Sequence, residues 1–544
     1  MATSIDFLTF KYHIIVCFLI LVSHFTPQKQ YRKSVVRCQK VPHKSVVVCQ
    51  KVPHKSVVIC QKVPHKSVVI CQKVPHKNVV ICQKVPHKSV NCFAISLFFS
   101  IFAANTEWPM ERFIMQDLIA WKNRADRKPL ILLGARQVGK TYILKEFGRR
   151  EFENVAYINC DNNAMVKELF VADYNIERIL FTIGAITGVN IQADKTLIVM
   201  DEIQELPRGL NALKYFCEDA PEYHVAVAGS LLGLTLHQGE SYPVGKVNTL
   251  ELFPMTFEEF LWARGFEPRM KLLQAGMWDV VKSMKTIFTQ HLREYYLVGG
   301  MPEAVKKYIE TNDANAVREV QKEIINAYEK DISKHAPTEQ VVRINQVWNS
   351  IPSQLAKENK KFIYGVVKPG ARAKDYEMAI QWLIDAGLVY KISRVKMLGL
   401  PLKIHEDISA FKLFILDCGL LGAMSKTPPA LLLLPNNDNT GKGDFTENFV
   451  CSQIETLRDI PIYYYSKENS QLELDFVLQI DTHVVPVEVK AEENLQAKSL
   501  KTTLANHPGM QALRFSMNDY RKQDNITNVP LYGVRSFLRE MVHS

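Results

Sequence analysis

The chain has 544 residues, enough for about three domains, and with 47% hydrophobic and 23% charged residues its composition is that of an ordinary globular protein. Its formal net charge of +11 is no argument for nucleic acid, because residues 1–109 hold 15 Lys and Arg against 2 Asp and Glu, while the remainder holds 52 against 54. Seven of the eleven cysteines fall in the first 92 residues; Cys160, Cys217, Cys418 and Cys451 have no metal-type spacing, so the body reads as a reduced, cytoplasmic protein.

Residues 1–109 read as an extension rather than as part of a machine. From Cys38 to Cys82 the sequence repeats every 11 residues, in units such as Gln61-Lys62-Val63-Pro64-His65-Lys66-Ser67-Val68-Val69-Ile70-Cys71. Near-identity of the units points to duplicated DNA rather than to selection for a fold. A proline in every unit and a cluster of β-branched residues argue against helix, so disorder or low-order extended structure is expected. The recurring Cys and His, Cys49 with His54 for example, lack the short Cys-pair spacing of structural zinc sites. Two apolar stretches, 14–22 and 93–104, are each shorter than the ~20 residues that span a bilayer, and no membrane association is expected. The expectation is that translation begins at Met110 and that the upstream segment is a gene-boundary artefact.

Residues 110–250 alternate apolar strand-like runs at 130–133, 155–159, 197–200 and 225–228 with amphipathic helices, the pattern of a parallel, helix-covered α/β sheet. Directly after the first run stands Gly134-Ala135-Arg136-Gln137-Val138-Gly139-Lys140-Thr141. The glycines, Gly134 and Gly139, let the backbone curl so that its N–H groups face phosphate oxygens. Lys140 can then reach the β and γ phosphates, and the Thr141 hydroxyl can hold Mg²⁺. Asp201 and Glu202 follow the buried run 196–200, at the strand end where parallel sheets place ligands. Asp201 is expected to bind Mg²⁺ and Glu202 to orient or deprotonate the attacking water. A third run ends at Gly229-Ser230, where Ser230 is placed to sense the γ-phosphate.

From 251 to 335 the pattern turns helical, including 257–263 and 316–331, as a lid over a nucleotide does. Residues 336–425 hold a long helical stretch at 372–386, ended by Gly387 and followed by Leu388-Val389-Tyr390-Lys391-Ile392. A helix followed by a short β wing reads as a winged-helix-like module, of the kind that reads DNA or docks proteins. Residues 431–441 read as a linker, and 443–544 as a small α/β domain.

Within that domain, 472–490 reads as a β-hairpin. With the turn at Asp481-Thr482, Asp475 faces Glu488 and Glu473 faces Lys490, while Leu474, Phe476 and Leu478 lie opposite Val489, Val487 and Val485 on the other face. Two carboxylates at that spacing can hold Mg²⁺ or Mn²⁺, with Lys490 orienting a water nucleophile; Glu447, on the preceding helical stretch, can supply a further ligand.

With these residues in view, the chain from Met110 onward resembles a family of prokaryotic AAA-type P-loop ATPases fused to a C-terminal restriction-endonuclease-like, PD-(D/E)xK-type domain. The resemblance is carried by the loop at 134–141, Asp201-Glu202-Ile203-Gln204, Ser241-Tyr242-Pro243-Val244-Gly245-Lys246, Gly299-Gly300-Met301-Pro302-Glu303, and Glu473-Leu474-Asp475-Phe476-Val477 with Glu488-Val489-Lys490. It implies ATP as the nucleotide, bound at Gly139, Lys140 and Thr141, with Asp201 and Glu202 in hydrolysis. It also implies Asp475, Glu488 and Lys490 in the nuclease motif positions, with Glu447 on the preceding helix. Leu474 stands where that motif carries its proline.

The expected function is an ATPase whose nucleotide cycle controls a metal-dependent nuclease-like domain acting on DNA or another nucleic acid. The alternative is a nucleotide-dependent regulatory switch whose C-terminal domain binds and cuts nothing, a reading favoured by the near-neutral body. Arg208, Arg264 and Lys246 are candidates for a finger reaching a neighbouring subunit's nucleotide, which keeps a protein partner or a homo-oligomer in view.

Overall fold

The structure, a computed structural model, describes residues 110–544 except 162–163, 171–172, 207, 231, 236–242, 358, 434–441, 468–471, 493–497 and 544, together with six short strands among the first 109 residues. Those strands are His13–Val16, Val35–Gln39, Ser45–Gln50, Val57–Gln61, Val68–Gln72 and Val79–Gln83, the last five centred on the Val-Val clusters that recur every 11 residues. They pair in parallel in two sets of three, with Val35 facing Val57 and Val57 facing Val79, so each repeat strand pairs with the next but one. The apolar stretch 93–104, residues 434–441 of the expected linker and the Ser241-Tyr242 part of its string lie outside the described residues; residues 431–433 end a short helix, Pro429–Leu433, rather than open a linker.

Residues 108–544 form a unit of their own. Its first sheet has five parallel strands, β1 (Leu130–Leu133), β2 (Asn154–Asn159), β3 (Thr196–Asp201), β4 (His224–Ala228) and β5 (Asn248–Glu251), in the order β5-β1-β4-β3-β2. Successive side chains leave a strand on opposite faces, and both faces are covered. Leu130, Leu132, Leu197, Val199, Ala226 and Ala228 join one core, whereas Ile131, Ile198, Met200, Val225 and Val227 join the other. Helices α1 (Ile114–Lys122) and α2 (Lys140–Glu151) cover the first face through Leu118, Trp121, Leu144 and Phe147. Helices α3 (Ile176–Thr187) and α4 (Gly209–Asp219) cover the second through Ile179, Ile183, Leu213 and Phe216.

The helical part follows: α5 (Phe257–Ala263), α6 (Lys285–Val298), α7 (Pro302–Thr311), α8 (Ala314–His335), α9 (Thr338–Leu355) and α10 (Ala373–Asp385), with shorter helices between them. A reciprocal cap starts α5, in which Thr256 accepts from the Glu259 backbone and Glu259 from that of Thr256. These helices share the core that lies under α1 and α2: Tyr328 and Trp348 belong to it, as do Phe476 and Leu538 near the C-terminus.

The hairpin expected as a wing, β6 (Val389–Val395) and β7 (Glu406–Ile415), does not stand free. With β8 (Ile462–Ser466), β9 (Glu473–Ile480), β10 (His483–Val489), β11 (Ala512–Ser516), β12 (Arg521–Gln523) and β13 (Ile526–Pro530) it forms one eight-stranded sheet, in the order β7-β6-β8-β9-β10-β11-β13-β12. The junction is a short parallel pairing, Arg394 with Tyr464 and Val395 with Tyr465. Helix α11 (Cys418–Met424) follows β7. Then α12 (Lys442–Glu455) and α14 (Val534–His543) pack together and against the sheet, and α13 (Lys498–Asn506) contacts β9 and β10.

The hairpin β9–β10 has the expected register, from Phe476 with Val487 to Ile480 with His483. Its two faces differ from expectation in one respect. Pairing between β8 and β9 shifts register between Tyr463 and Tyr465, and Leu474 packs with Val477 and Leu500 rather than with Phe476 and Leu478.

Candidate functional site

The loop between β1 and α2 is shaped by its neighbours as well as by its glycines. Gly134 has φ +138°, and a Cβ there would lie 2.2 Å from the Leu252 carbonyl oxygen, so no other residue fits beside β5's continuation. Arg112, just before α1, donates to the Val138 carbonyl at 3.0 Å and pairs with Glu259 at 3.1 Å, both buried. From the other side, Tyr328 on α8 donates to the Arg136 carbonyl at 2.9 Å, and the Arg136 guanidinium pairs with Asp331. The loop is therefore held from α8 as well as from its own sheet.

Lys140 is 6% exposed and its Nζ donates to the Gly134 and Ala135 carbonyls, 2.8 Å each. Burial lowers its ammonium well below the ordinary lysine range, to about 8, against the opposing pull of Glu202 and Asp201. Thr141 Oγ1 donates to Asp201 Oδ2 at 2.5 Å, and Tyr157 Oη donates to the same oxygen at 3.0 Å. This brings together the two groups expected to hold Mg²⁺. Glu202, at φ +53°, turns back toward β4: its Oε2 accepts from Gln204 Nε2 at 2.7 Å and from the Ser230 N–H and hydroxyl at 3.1 Å each. Burial pushes this carboxyl up, yet those donors and the Lys140 charge outweigh it and hold Glu202 ionised below the usual range. Ser230 thus touches the water-positioning candidate directly. Among the finger candidates, Arg264 pairs with Glu294, Lys246 with Glu218 at 2.8 Å, and Arg208 donates to Tyr174 Oη at 3.0 Å.

The C-terminal carboxylates form a second, mostly buried group. Glu447 on α12 and Glu488 on β10 are each 7% exposed. Asp475 Oδ2 accepts from the Val489 N–H at 2.7 Å, and Glu488 pairs with Lys490 at 2.6 Å. Burial, with the charges of Glu447 and Glu488 beside it, pushes the Asp475 carboxyl well up, although Lys412 opposes them. Among the described residues, no three His, Cys, Asp or Glu side chains are gathered closely enough to hold a metal ion as they stand.

Sequence reasoning missed two lysines here. Lys412 of β7, 1% exposed, pairs with Glu473 at 2.8 Å and lies 3.9 Å from Glu447 Oε2. Lys360, in the segment after α9, pairs with Glu447 Oε1 at 2.6 Å and lies 3.8 Å from Asp444. A signal was present for the first: Lys412 interrupts Ala410-Phe411 and Leu413-Phe414-Ile415, a charge in a run that otherwise reads as core. Lys360 had none, since Lys357-Glu358-Asn359-Lys360-Lys361 reads as an exposed turn.

Comparison with family models gives three consecutive matches: an AAA domain over residues 126–261, a Domain of unknown function (DUF8612) over 289–431 and a Domain of unknown function (DUF4143) over 442–533. No curated protein matches the chain. Among solved structures, the chain is similar to the Walker-type ATPase PABY2304 of Pyrococcus abyssi, at 14% identity and TM-score 0.38, over 58% of this chain and 96% of that one. It is also similar to the Aeropyrum pernix ORC1 protein in complex with DNA, at 12% identity and TM-score 0.24, over 62% and 98%. A third similarity is to RuvB of Thermotoga maritima, at 14% identity and TM-score 0.26, over 51% and 88%. No helix among the described residues is long and apolar enough to cross a membrane. On the domain match and on the parallel sheet that carries Gly134 to Thr141, residues 126–261 are a P-loop ATPase domain of the AAA type.

Proposed function

We propose that this chain hydrolyses ATP and that its nucleotide cycle controls a metal-dependent nuclease-like domain acting on nucleic acid in the cytoplasm. The observation that carries the first half is the convergence of Lys140, Thr141, Asp201, Glu202 and Ser230 at the ends of β1, β3 and β4. Lys140 exchanges its two loop carbonyls for the β and γ phosphates, which restores a counter-charge to a buried ammonium. Thr141 and Asp201 would hold Mg²⁺, which neutralises charge on the phosphates when bound. Glu202, kept ionised by its donors, orients the attacking water, and Ser230 reports the γ-phosphate to it.

The second half rests on the donor set at Glu447, Asp475 and Glu488. Three hard oxygen donors sit close enough for the first and third to raise the second, and Glu447 Oε2 is buried with no hydrogen-bond partner among the described residues. The chemistry of these donors suits a divalent cation once the three side chains close together, and the cation would supply Lewis-acid polarisation of a phosphodiester. Lys490, paired with Glu488, is placed to orient a water. The regulatory-switch reading is favoured by one observation: Lys360, Lys412 and Lys490 already neutralise Glu447, Glu473 and Glu488 without any cation.

The test is Mg²⁺- or Mn²⁺-dependent cleavage of single- and double-stranded DNA and RNA by the purified protein, with and without ATP, beside Glu488→Ala and Lys140→Ala. Cleavage lost in Glu488→Ala and dependent on ATP supports the first reading. ATP hydrolysis with no cleavage of any substrate moves the assignment to the switch.

A further inference from the structure

We propose that Lys360 is a positioning residue of the C-terminal cation site, fixing Glu447 so that one carboxylate oxygen is left for the cation. This inference rests on the reading of Glu447, Asp475 and Glu488 as cation ligands given above. Lys360 lies outside the C-terminal domain in sequence, so the site is complete only with a residue supplied by the preceding module.

Three observations support it. Lys360 Nζ takes Oε1 of Glu447 at 2.6 Å and lies 3.8 Å from Asp444, while Oε2 of the same buried Glu447 makes no hydrogen bond among the described residues and stands 3.9 Å from Lys412. An oxygen left bare in a buried site carries a desolvation penalty, and a bound cation would remove it. Next, Lys360 adopts φ +48°, a left-handed backbone that strains a residue with a side chain. Finally, the segment behind it is pinned on both sides. Gln354 donates to the Ile363 carbonyl at 2.9 Å and accepts from the Ile363 N–H at 3.1 Å, and the Phe362 N–H donates to the Phe411 carbonyl at 2.8 Å, next to Lys412. An exposed ion pair needs neither the strain nor the anchoring, since long side chains find each other at the surface unaided.

The chemistry follows from the division of labour among the lysines. Lys412 holds Glu473, Lys490 holds Glu488, and Lys360 holds Glu447 by one oxygen. With Glu447 fixed from behind, Asp475 and Glu488 have a stationary donor to close against when a cation arrives. Outer partners that orient metal ligands in this way change affinity by about 10–100-fold when removed.

The test turns on a sign. Lys360→Met deletes a positive charge next to the carboxylates, and Coulomb's law alone then makes a second cation bind more tightly. Positioning makes it bind more weakly. Mn²⁺ alone is titrated into the nucleotide-free protein by calorimetry, with the Mn²⁺ electron paramagnetic resonance signal reporting its coordination, for wild type, Lys360→Met and Glu447→Gln. The expected result is loss of the cluster's Mn²⁺ in Glu447→Gln and at least tenfold weaker binding with a broadened signal in Lys360→Met. Unchanged or tighter binding in Lys360→Met overturns the role of Lys360 while leaving the cation reading intact; wild-type binding that survives Glu447→Gln overturns the cation reading itself. If Lys360→Met does not fold, Lys360→Arg keeps the charge but spreads it over a planar fork that meets Glu447 differently. Weaker Mn²⁺ binding there supports the proposal, and wild-type affinity overturns it.

Discussion

Replacing Lys140 by methionine removes ATP binding, and it also makes the nucleotide-free protein more stable at neutral pH. The reasoning starts from burial. A lysine whose ammonium is lowered from the ordinary 10.5 to about 8 carries a folding cost of about 3 kcal/mol in its charged form. Below pH 8 the folded and unfolded chains both hold the proton, so the whole cost is present. Between 8 and 10.5 the unfolded chain keeps the proton and the folded chain releases it, so stability rises with pH and the cost fades. Methionine keeps the buried aliphatic stem and has no charge to bury. It leaves the Gly134 and Ala135 carbonyls without their donor, which returns about 1–2 kcal/mol. The net expectation is a gain of about 1–2 kcal/mol at pH 7 that shrinks by about 2 kcal/mol at pH 10. Urea unfolding of both proteins without nucleotide, at the two pH values, measures it; other titrating groups cancel in the difference. A variant that is less stable at pH 7, or whose stability difference is the same at pH 10, refutes the argument that a buried charge awaits the phosphates. Saturating ATP should raise the wild-type midpoint and leave that of the variant unmoved.

Glu202→Gln should keep nucleotide affinity and lower turnover by about 10²–10⁴-fold, read from phosphate release beside a binding titration. Lys412→Met takes the cation from the half-buried Glu473, while Glu447 keeps Lys360, and should cost about 3 kcal/mol, part of which Lys412→Met with Glu473→Gln recovers in a double-mutant cycle. Gly387→Ala forces a side chain onto φ +70° and places its Cβ 3.3 Å from the Ala135 backbone nitrogen, so it should weaken ATP binding while leaving Mn²⁺ binding at the carboxylates unchanged; equal ATP affinity would contradict the contact.

The grouping of the candidate nucleotide-site residues was legible in the sequence because the signals are local. Gly134 to Thr141 and Asp201-Glu202 each sit at the end of one apolar run, and the five-stranded sheet only had to align those ends. The hairpin register was legible for the same kind of reason: a strict two-residue alternation on both sides of Asp481-Thr482 admits one pairing that keeps Phe476, Leu478, Val485 and Val487 together. What escaped was non-local. The turn of Leu474 to the opposite face accompanies a register shift against β8, a strand whose own sequence carries no mark of it. The union of β6 with β8 joins residues on either side of 431–441, which composition marks as a boundary. Lys360 and Lys412 reach the carboxylates from the same side of that boundary, through β7, on which α12 packs.

The same union alters how far apart the two candidate sites are. At its C-terminal end α10 meets the ATPase domain twice: a Cβ on Gly233 would lie 2.1 Å from the Asp385 carbonyl oxygen, and Gly387 backs onto Ala135 in the phosphate loop. Strand β6 leaves from that end, and its Ile392 pairs with Lys412 of β7. From Gly387 to Ile392 is ~17 Å of extended chain, so a single helix-to-strand element touches the phosphate loop at one end and the lysine that holds Glu473 at the other. A movement of Ala135 on nucleotide binding meets a packed helix end rather than solvent, and packed elements shift as bodies rather than deform. Under the proposed coupling, this element would be the short route from nucleotide turnover to the carboxylates, with no flexible linker between them.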